Sequence, residues 1–597
     1  MKKWLAKLRQ AGLVKDIIQE VSSDLEAAHI SYIEAKRPNP KVLFFHNIKG
    51  KKFPLVTNLF ANLEVLELFF GTSPEAIAQK IQAFLQPKKP RTLSEKLDFL
   101  SQLINLKNAI PKRLNTSKAL WRKSNLVLQD LPILKTWEDD GGAFITMGQV
   151  YTKAYEGDGQ NLGMYRLQFF EDSTREFGGR LGLHWQIHKD GAHFYHDYAA
   201  AGCKMPVSVA VGGDPLYIWC GQAPLPKGVF ELLLYGFVRN APARLAKCQT
   251  NEIFVPYDAD FVIEGFVDGV QDEGRFGDHT GFYTPIEPFP VMRVTQISAK
   301  EEAVFAATVV GKPPLEDKFM GFATERIFLP LFRTSAPDLI DYKMPENGVF
   351  HNLILAKFDS RYPAHAQQLM HAFWGVGQMS FVKHAIFVPK DAPKLEDYEA
   401  LTEFVLRRFS PKALSFSSGV CDQLDHASPN ACFGGKLSLD ASQDFAPTPP
   451  QPCEDLSGVL KSLAPEILEV KEHFSHTPNP LVFVKVRKTT RDVKQIWQGL
   501  SEADRFVKIV IFFDEDARLD NLYMCLWRAV NNIDALRDVF VRGERVCIDA
   551  TSKGELEGYT REWPKMTNCT KEVVKRLVAR GLLEDDAALF ERFEIFG

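Results

Sequence analysis

The run GAFITMGQVYTKAY, Gly142 to Tyr155, decides the fold. It is rich in β-branched and aromatic residues (Ile145, Thr146, Val150, Tyr151, Thr152), the types that fit a pleated, half-buried surface. The same texture recurs in MYRLQFF (Met164–Phe170), MPVSVAVG (Met205–Gly212), EIFVPY (Glu252–Tyr257), FVIEGFV (Phe261–Val267), VMRVTQIS (Val291–Ser298) and AVFAATVVG (Ala303–Gly311). Glycine and proline punctuate these runs, so the chain from about Trp137 to Pro330 reads as a β-rich domain.

On its N-terminal side, helical stretches (SPEAIAQKIQAFLQ, LSEKLDFLSQLINL) mix with short strand-like runs such as KVLFFHNI. The opening MKKWLAKLRQAGLVKDIIQEV places Trp4, Leu5, Leu8, Leu13 and Ile17 at helical spacing and lacks the apolar run of a signal peptide, which predicts an amphipathic first helix. Beyond about Gly348 strands and helices alternate, as in an α/β layer. The segment SQDFAPTPPQPCEDLSG, with four prolines from Pro447 to Pro452, reads as a linker, and across it the chain repeats itself. LILAKF resembles LVFVKVRK, FVKHAIFVPKDA resembles FVKIVIFFDEDA, and LSLDAS resembles VCIDAT. Coincidence between two βαβα units is the bland alternative. The expected organisation is an N-terminal α/β region (1–130), a central β domain (131–335), an α/β domain (336–442), a linker (443–454) and a second α/β copy (455–597) that serves assembly.

At 597 residues with 45% hydrophobic content the chain can bury roughly three to five domains. A net charge of −3 shows no basic field for nucleic acid. Nine scattered cysteines without a CxxC pair fit buried thiols in a reducing compartment. Without an uninterrupted window of about 18 apolar residues, a cytoplasmic chain is expected.

Three clusters carry polar chemistry. LHWQIHKDGAHFYHDY holds His184, His188, His193 and His196. His184 and His188 have the i, i+4 spacing of a helical zinc pair, but RLGLHWQIH reads as a strand, where i and i+4 stand about 13 Å apart. One common zinc site is therefore not expected, and His193 and His196 read as a helix end. GDGQNLG, with Gly157, Gly159 and Gly163, is one residue too long for a dinucleotide fingerprint and continues as a strand. In DEGRFGDHTGFY, Glu273 and Asp278 lie five residues apart across two glycines, so a turn can bring both carboxyls into one pocket; a solvated loop is the alternative.

Taken in order, LPILKTWEDDGGAFIT, NLGMYRLQ, LHWQIHKDGAHFYHDY, MPVSVAVGGDP, PLPKGVFE, EGRFGDHTGFY and VVGKPPLED, followed by LDHASPNACFGGKLSLDAS, resemble the UbiD family of prenylated-flavin decarboxylases. The resemblance spans roughly Tyr32 to Ser442. Chain length and the second α/β copy resemble the branch that serves menaquinone synthesis by the futalosine route. The implied fold is a multidomain α+β and α/β chain: an N-terminal α/β region, a central split-barrel flavin-binding domain and a duplicated C-terminal α/β domain.

The resemblance also implies a chemistry. Loss of CO2 from an aromatic carbon leaves charge in an sp2 orbital that no side chain can delocalise, so an organic cofactor must supply the electron sink. Prenylated FMN is implied, with Mn2+ held by Asn161 and Glu231 against its phosphate, His188 a further candidate ligand, and K+ on backbone oxygens around Gly221 to Ala223. Met164, Tyr165, Arg166, His184, Trp185, Gln186, Lys189 and Asp190 match cofactor-contacting positions. Arg166, Glu273 and Asp278 match the catalytic arginine and acids. Aspartate at 278 is shared with ubiquinone-route relatives, where acrylic-acid decarboxylases have glutamate, and Arg275 stands where those relatives have proline. To donate a proton Asp278 must be neutral, and burial beside a flavin and Glu273 is expected to raise its pKa, with Arg166 holding Glu273 or the substrate carboxylate.

The implied activity is removal of CO2 from a prenylated 1,4-dihydroxy-6-naphthoate. The alternatives are 3-polyprenyl-4-hydroxybenzoate decarboxylation in ubiquinone synthesis and a flavin-binding protein without decarboxylase activity. Implied partners are the prenylated aromatic acid, a flavin prenyltransferase that supplies the cofactor, further copies of the chain as a dimer or hexamer, and a peripheral contact with the inner membrane face.

Overall fold

The structure is a computed structural model that describes residues 1–86, 107–171, 178–185 and 190–597. The predicted helix LSEKLDFLSQLINL lies outside the described residues. The chain divides into two compact units: Met1–Ile327 with Met566–Glu591 and Phe596, and Phe328–Lys565 with Arg592–Ile595 and Gly597.

The centre of the first unit is a barrel. Its strands are β1 (Ala143–Lys153), β2 (Gln160–Phe169), β3 (Arg180–Leu183), β4 (Pro206–Val211), β5 (Phe261–Glu273) and β6 (Glu287–Ala299). Every pairing is antiparallel, and because β5 pairs with both β4 and β6 the order β1-β2-β3-β6-β5-β4 closes on itself. Closure leaves these strands no open edge. Nine consecutive residues of β1 are buried, so both of its faces are covered. Gly157, at φ 78°, turns the chain from β1 into β2, which is the use the structure makes of the first glycine of GDGQNLG. The ladder of β5 and β6 ends on the pair Glu273↔Glu287, so residues 274–286 form the loop at that end of the barrel.

Beside the barrel lies a small sheet in the order Val14–Ile17, Val42–Phe45, Leu55–Thr57 and Phe305–Ala306. The first helix is shorter than its spacing predicts. It covers Lys2–Gln10 and buries Leu5 and Leu8, after which Gly12, at φ 71°, ends it. Leu13 then leads into the strand Val14–Ile17, because a left-handed residue cannot continue an α-helix.

The second unit carries two sheets of one design. The first contains β7 (Leu339–Lys343), β8 (Leu353–Phe358), β9 (His384–Pro389), β10 (Leu414–Val420) and β11 (Phe433–Asp440), in the order β7-β8-β9-β11-β10. The second contains β12 (Ile467–His473), β13 (Leu481–Val486), β14 (Ile509–Asp514), β15 (Val539–Arg542) and β16 (Arg545–Asp549), in the order β12-β13-β14-β16-β15. The order and the sense of all four pairings agree, including an irregularity at the start of the first ladder in each. The α/β domain is therefore duplicated. The copies share a core in which Leu406 and Phe409 meet Phe483, Ile509, Phe513 and Val539.

None of the nine cysteines forms a disulfide, and six are buried. Among the described residues no helix is long and apolar enough to cross a membrane.

Candidate active site

Arg166 sits near the end of β2, and its guanidinium reaches Glu273, the last residue of β5, and Asp278 in the loop that follows. Nη2 and Nε donate to Glu273 Oε2 at 2.6 and 3.1 Å, and Nη1 donates to Asp278 Oδ2. Nη2 also donates to Thr284 Oγ1 at 3.2 Å, and the guanidinium lies over the Phe276 ring, 4.9 Å from its centroid. The three charged side chains are 12% exposed or less, so the network is buried. Glu273 and Asp278 thus come together in one place, and the solvated-loop alternative does not hold.

The loop is shaped to do this. Asp278 N–H donates to the Phe282 carbonyl, Gly281 N–H to the Asp278 carbonyl and Thr284 N–H to the Phe276 carbonyl, which closes a tight turn around the acid. Gly141 and Gly274 cross so closely that a Cβ on Gly141 would lie 2.5 Å from the Gly274 Cα, and only glycine permits that approach. Gln168 ties the crossing, accepting from Gly274 N–H at 2.7 Å and donating to the Gly141 carbonyl at 2.9 Å. Asp140 accepts from the N–H groups of Gly277, Trp137 and Thr136 at 2.8 to 3.1 Å. Burial nevertheless pushes the Asp140 carboxyl up to about 7. Thr284, Phe276, Asp140 and Gln168 were not singled out from sequence. The available signal was alternation along β2, which sets Arg166 and Gln168 on one face.

His184 directly follows β3, since the strand read through RLGLHWQIH ends at Leu183. Its Nδ1 lies 3.0 Å from Glu273 Oε2, so it serves the acid network as well as the wall expected of it. Burial alone would raise both acids. For Glu273 it is outweighed by Arg166 and His184, and for Asp278 by hydrogen bonds from His279 and the charge of Arg166, so both carboxyls are held below their ordinary values. This corrects the expectation of a raised Asp278: the His279 hydrogen bonds and the Arg166 charge together stabilise the carboxylate more than burial destabilises it. Arg166, for its part, is raised: desolvation disfavours its charge, but the two acids more than compensate.

On the other expected residues the structure is uneven. Asn161 is buried opposite Thr152 of β1, and among the described residues neither its Nδ2 nor Thr152 Oγ1 has a hydrogen-bond partner. Glu231, just before the helix Leu232–Arg239, accepts from Leu162 N–H at 2.7 Å, which brings it to the residue after Asn161. Met164 N–H donates to the Gly221 carbonyl at 2.9 Å, and the Tyr165 ring lies against Gly163. Among the described residues, Trp185 Nε1, His184 Nε2 and Glu273 Oε1 are also buried without a hydrogen-bond partner. Asp190 opens the helix Asp190–Ala200, which includes His193 and His196. Gln186, His188, Lys189 and the Asp190 side chain lie outside the described residues. Among the described residues there is no group of three His, Cys, Asp or Glu side chains suited to a metal.

Models of the 3-octaprenyl-4-hydroxybenzoate carboxy-lyase match the chain in three parts: its N-terminal domain over residues 5–85, its Rift-related domain over 111–313 and its C-terminal domain over 318–441 and 454–556. The chain belongs to the UbiD family, whose members are prenylated-FMN-dependent decarboxylases. An uncharacterized protein of Helicobacter pylori (strain J99) is 49% identical over 611 residues, covering 100% of this chain and 98% of that one. One from Aquifex aeolicus is 38% identical over 447 residues, covering 74% and 90%. Among solved structures, the UbiD-class enzyme HmfF from Pelotomaculum thermopropionicum in complex with FMN aligns with a TM-score of 0.62 at 21% identity, covering 76% of this chain and 98% of that one. The vanillic acid decarboxylase of Sedimentibacter hydroxybenzoicus aligns at 0.63 and 19%, covering 77% and 97%. At these identities the structures establish a shared fold.

Proposed function

We propose that this protein removes CO2 from a hydroxyaryl carboxylate with prenylated FMN as cofactor, and that its substrate is a prenylated 1,4-dihydroxy-6-naphthoate of menaquinone synthesis. The observation that carries the reaction is the buried network of Arg166, Glu273 and Asp278 on the barrel of a UbiD-family chain. Aspartate at 278, the chain length and the duplicated α/β domain support the substrate. The alternative within the same chemistry, 3-polyprenyl-4-hydroxybenzoate, is supported by the family's own description.

The residues present fit the cofactor. Buried polar atoms without partners are rare in folded proteins, and among the described residues Asn161, Thr152, Trp185 and His184 all carry one. Asn161 Oδ1 and the Glu231 carboxylate are oxygen donors suited to Mn2+ shared with a phosphate, and the Asn161 amide can present either atom by a half-turn. The Gly221 carbonyl, already accepting from Met164, keeps a second lone pair for K+. When bound, prenylated FMN supplies the electron sink that decarboxylation requires.

The chain's own residues position the acid and time its proton. While Arg166 holds Asp278, that carboxyl stays ionised and cannot donate. A substrate carboxylate that takes the guanidinium Nη1 removes the Arg166 charge from Asp278 and brings an anion beside it, so burial shifts the acid towards its neutral form against the remaining hydrogen bonds from His279. Glu273, gripping Arg166 through two nitrogens, keeps the guanidinium in place during the exchange. Substrate binding therefore arms the proton donor.

By the same reading a flavin prenyltransferase supplies the cofactor, the chain acts as a homo-oligomer, dimer or hexamer, and it works in the cytoplasm with a peripheral contact at the inner membrane face. The test is CO2 release by protein co-expressed with a flavin prenyltransferase, offered prenylated 1,4-dihydroxy-6-naphthoate, 3-polyprenyl-4-hydroxybenzoate and cinnamate. Turnover of the naphthoate above the other two supports the reading, while preference for cinnamate or no release from any aromatic acid counts against it.

A further inference from the structure

After the second sheet of the other unit, the chain comes back to the barrel unit at Met566, and its first residues there meet the loop that carries Asp278. Met566 forms an antiparallel bridge with Phe282. Thr567 N–H donates to the Gly281 carbonyl at 2.8 Å, and its hydroxyl reaches the same carbonyl at 3.3 Å. The Thr567 methyl occupies the space beside Gly277, where a Cβ would lie 2.6 Å from it. Gly281 has φ 85°, a conformation that depends on glycine, and Asp278 is held between these two glycines.

The segment is itself firmly anchored. Lys312 Nζ donates to Asn568 Oδ1 at 2.7 Å, Thr570 N–H donates to His29 Nε2 at 3.0 Å, and Thr570 Oγ1 donates to Glu138 at 3.0 Å. Burial lowers His29 to about 4, so its ring is neutral and Nε2 remains an acceptor at physiological pH. The helix that follows, Lys571–Ala579, places Arg576 on Glu26 with Arg580 just beyond it, both at 3.1 Å. The amide of a tight loop held from outside by a fixed strand has fewer open states than one held only by its own turn.

We propose that Met566–Thr570 is a strap that positions the acid loop, with Thr567 the positioning residue that keeps Asp278 registered on Arg166. Nothing in Thr567 touches the reacting atoms. It acts through Gly277 and Gly281. The proposal rests on the functional reading only for its consequence in catalysis, since the contact between strap and loop stands without it.

The test is amide hydrogen exchange across residues 275–284, followed by mass spectrometry, in the full-length protein carrying Thr567→Pro, Thr567→Ala or Thr567→Ser. Thr567→Pro deletes the 2.8 Å donor, and exchange in this loop should accelerate at least tenfold with barrel strands β1 and β4 unchanged. Thr567→Ala keeps the donor but loses the methyl and hydroxyl, and should give a smaller acceleration that Thr567→Ser partly restores. If Thr567→Pro does not fold, the Ala and Ser pair decides. Loop exchange unchanged in every folded variant overturns the strap. In the prenylated-FMN holoenzyme, Thr567→Ala should lower kcat for prenylated 1,4-dihydroxy-6-naphthoate several-fold with KM nearly constant, and Thr567→Ser should recover it; a wild-type kcat in Thr567→Ala overturns the catalytic role. A wild-type holoenzyme that turns over no aromatic acid, with the exchange pattern as expected, counts against the functional reading and leaves the strap supported.

Discussion

Asp278 and Asp140 sit on the same loop assembly with their protonation driven in opposite directions, and pH separates them. The folded pKa of Asp278 is depressed, so its contribution to stability is present above the ordinary carboxylate value and is lost as pH falls through the acid range. Asp140 is raised from 3.8 to about 7, so the folded state binds the extra proton and stability declines as pH rises from about 4 to about 7. Glu316, also raised to about 7 by burial, acts in the same sense. Urea midpoints should therefore fall between pH 5 and pH 8, and Asp140→Asn should flatten that slope; a steeper slope in the variant would show that another group governs it. Removing the cation is a harsher change. Arg166→Met leaves two buried carboxylates without their partner and should cost about 3–5 kcal/mol at neutral pH, measurable by urea unfolding, whereas a cost below about 1 kcal/mol would mean that water replaces the guanidinium. The five-residue spacing of Glu273 and Asp278 across glycines was readable as a pair of convergent acids. The direction of the Asp278 shift was not, because it depends on which guanidinium nitrogen faces which oxygen, a matter of register on β2.

At the scale of elements, β-branched runs marked five of the six barrel strands, while Phe254–Pro256 and Phe305–Ala306 joined smaller sheets and the short β3 carried no such run. The barrel came from the family resemblance and not from local pattern, because β5 meets both β4 and β6 through pairings that no local pattern encodes. Leu13 and Ile17 matched a helical period by chance of spacing, and Gly12 overrode it. The strap was illegible for a plain reason: Thr567 meets Gly281 across 286 residues of chain. Close approaches make two element-level tests. Gly277→Ala would drive a methyl into Trp137 and Thr567, and overpacking of this kind should cost about 1–3 kcal/mol with a loss of decarboxylation; unchanged thermal stability and rate would show that the loop has slack. Glu231→Ala removes an anionic ligand beside Asn161, so Mn2+ and cofactor should be lost together. Metal analysis and flavin absorbance of the purified variant check this, and retention of both at wild-type occupancy would remove Glu231 from the site.

For the whole molecule, duplication of the α/β domain explains why a UbiD-family chain is so long, and the shared core shows what the second copy does structurally. Leu406 and Phe409 are covered by residues of the second sheet, so deleting Asp455–Gly597 should expose them, remove the strap and yield aggregated or smaller species by size-exclusion chromatography. A soluble truncation of unchanged size and activity would contradict that. In the proposed prenylated-FMN decarboxylation the Arg166, Glu273 and Asp278 network delivers the proton, and the rate of Asp278→Asn with cofactor loaded tests this. The variant keeps the shape of the loop but has no proton to give, so the expected result is wild-type cofactor content with less than a tenth of the wild-type rate of CO2 release. A rate above a tenth, equivalent to under ~1.4 kcal/mol of added barrier, would contradict the assignment and move the proton to another group, Glu273 first.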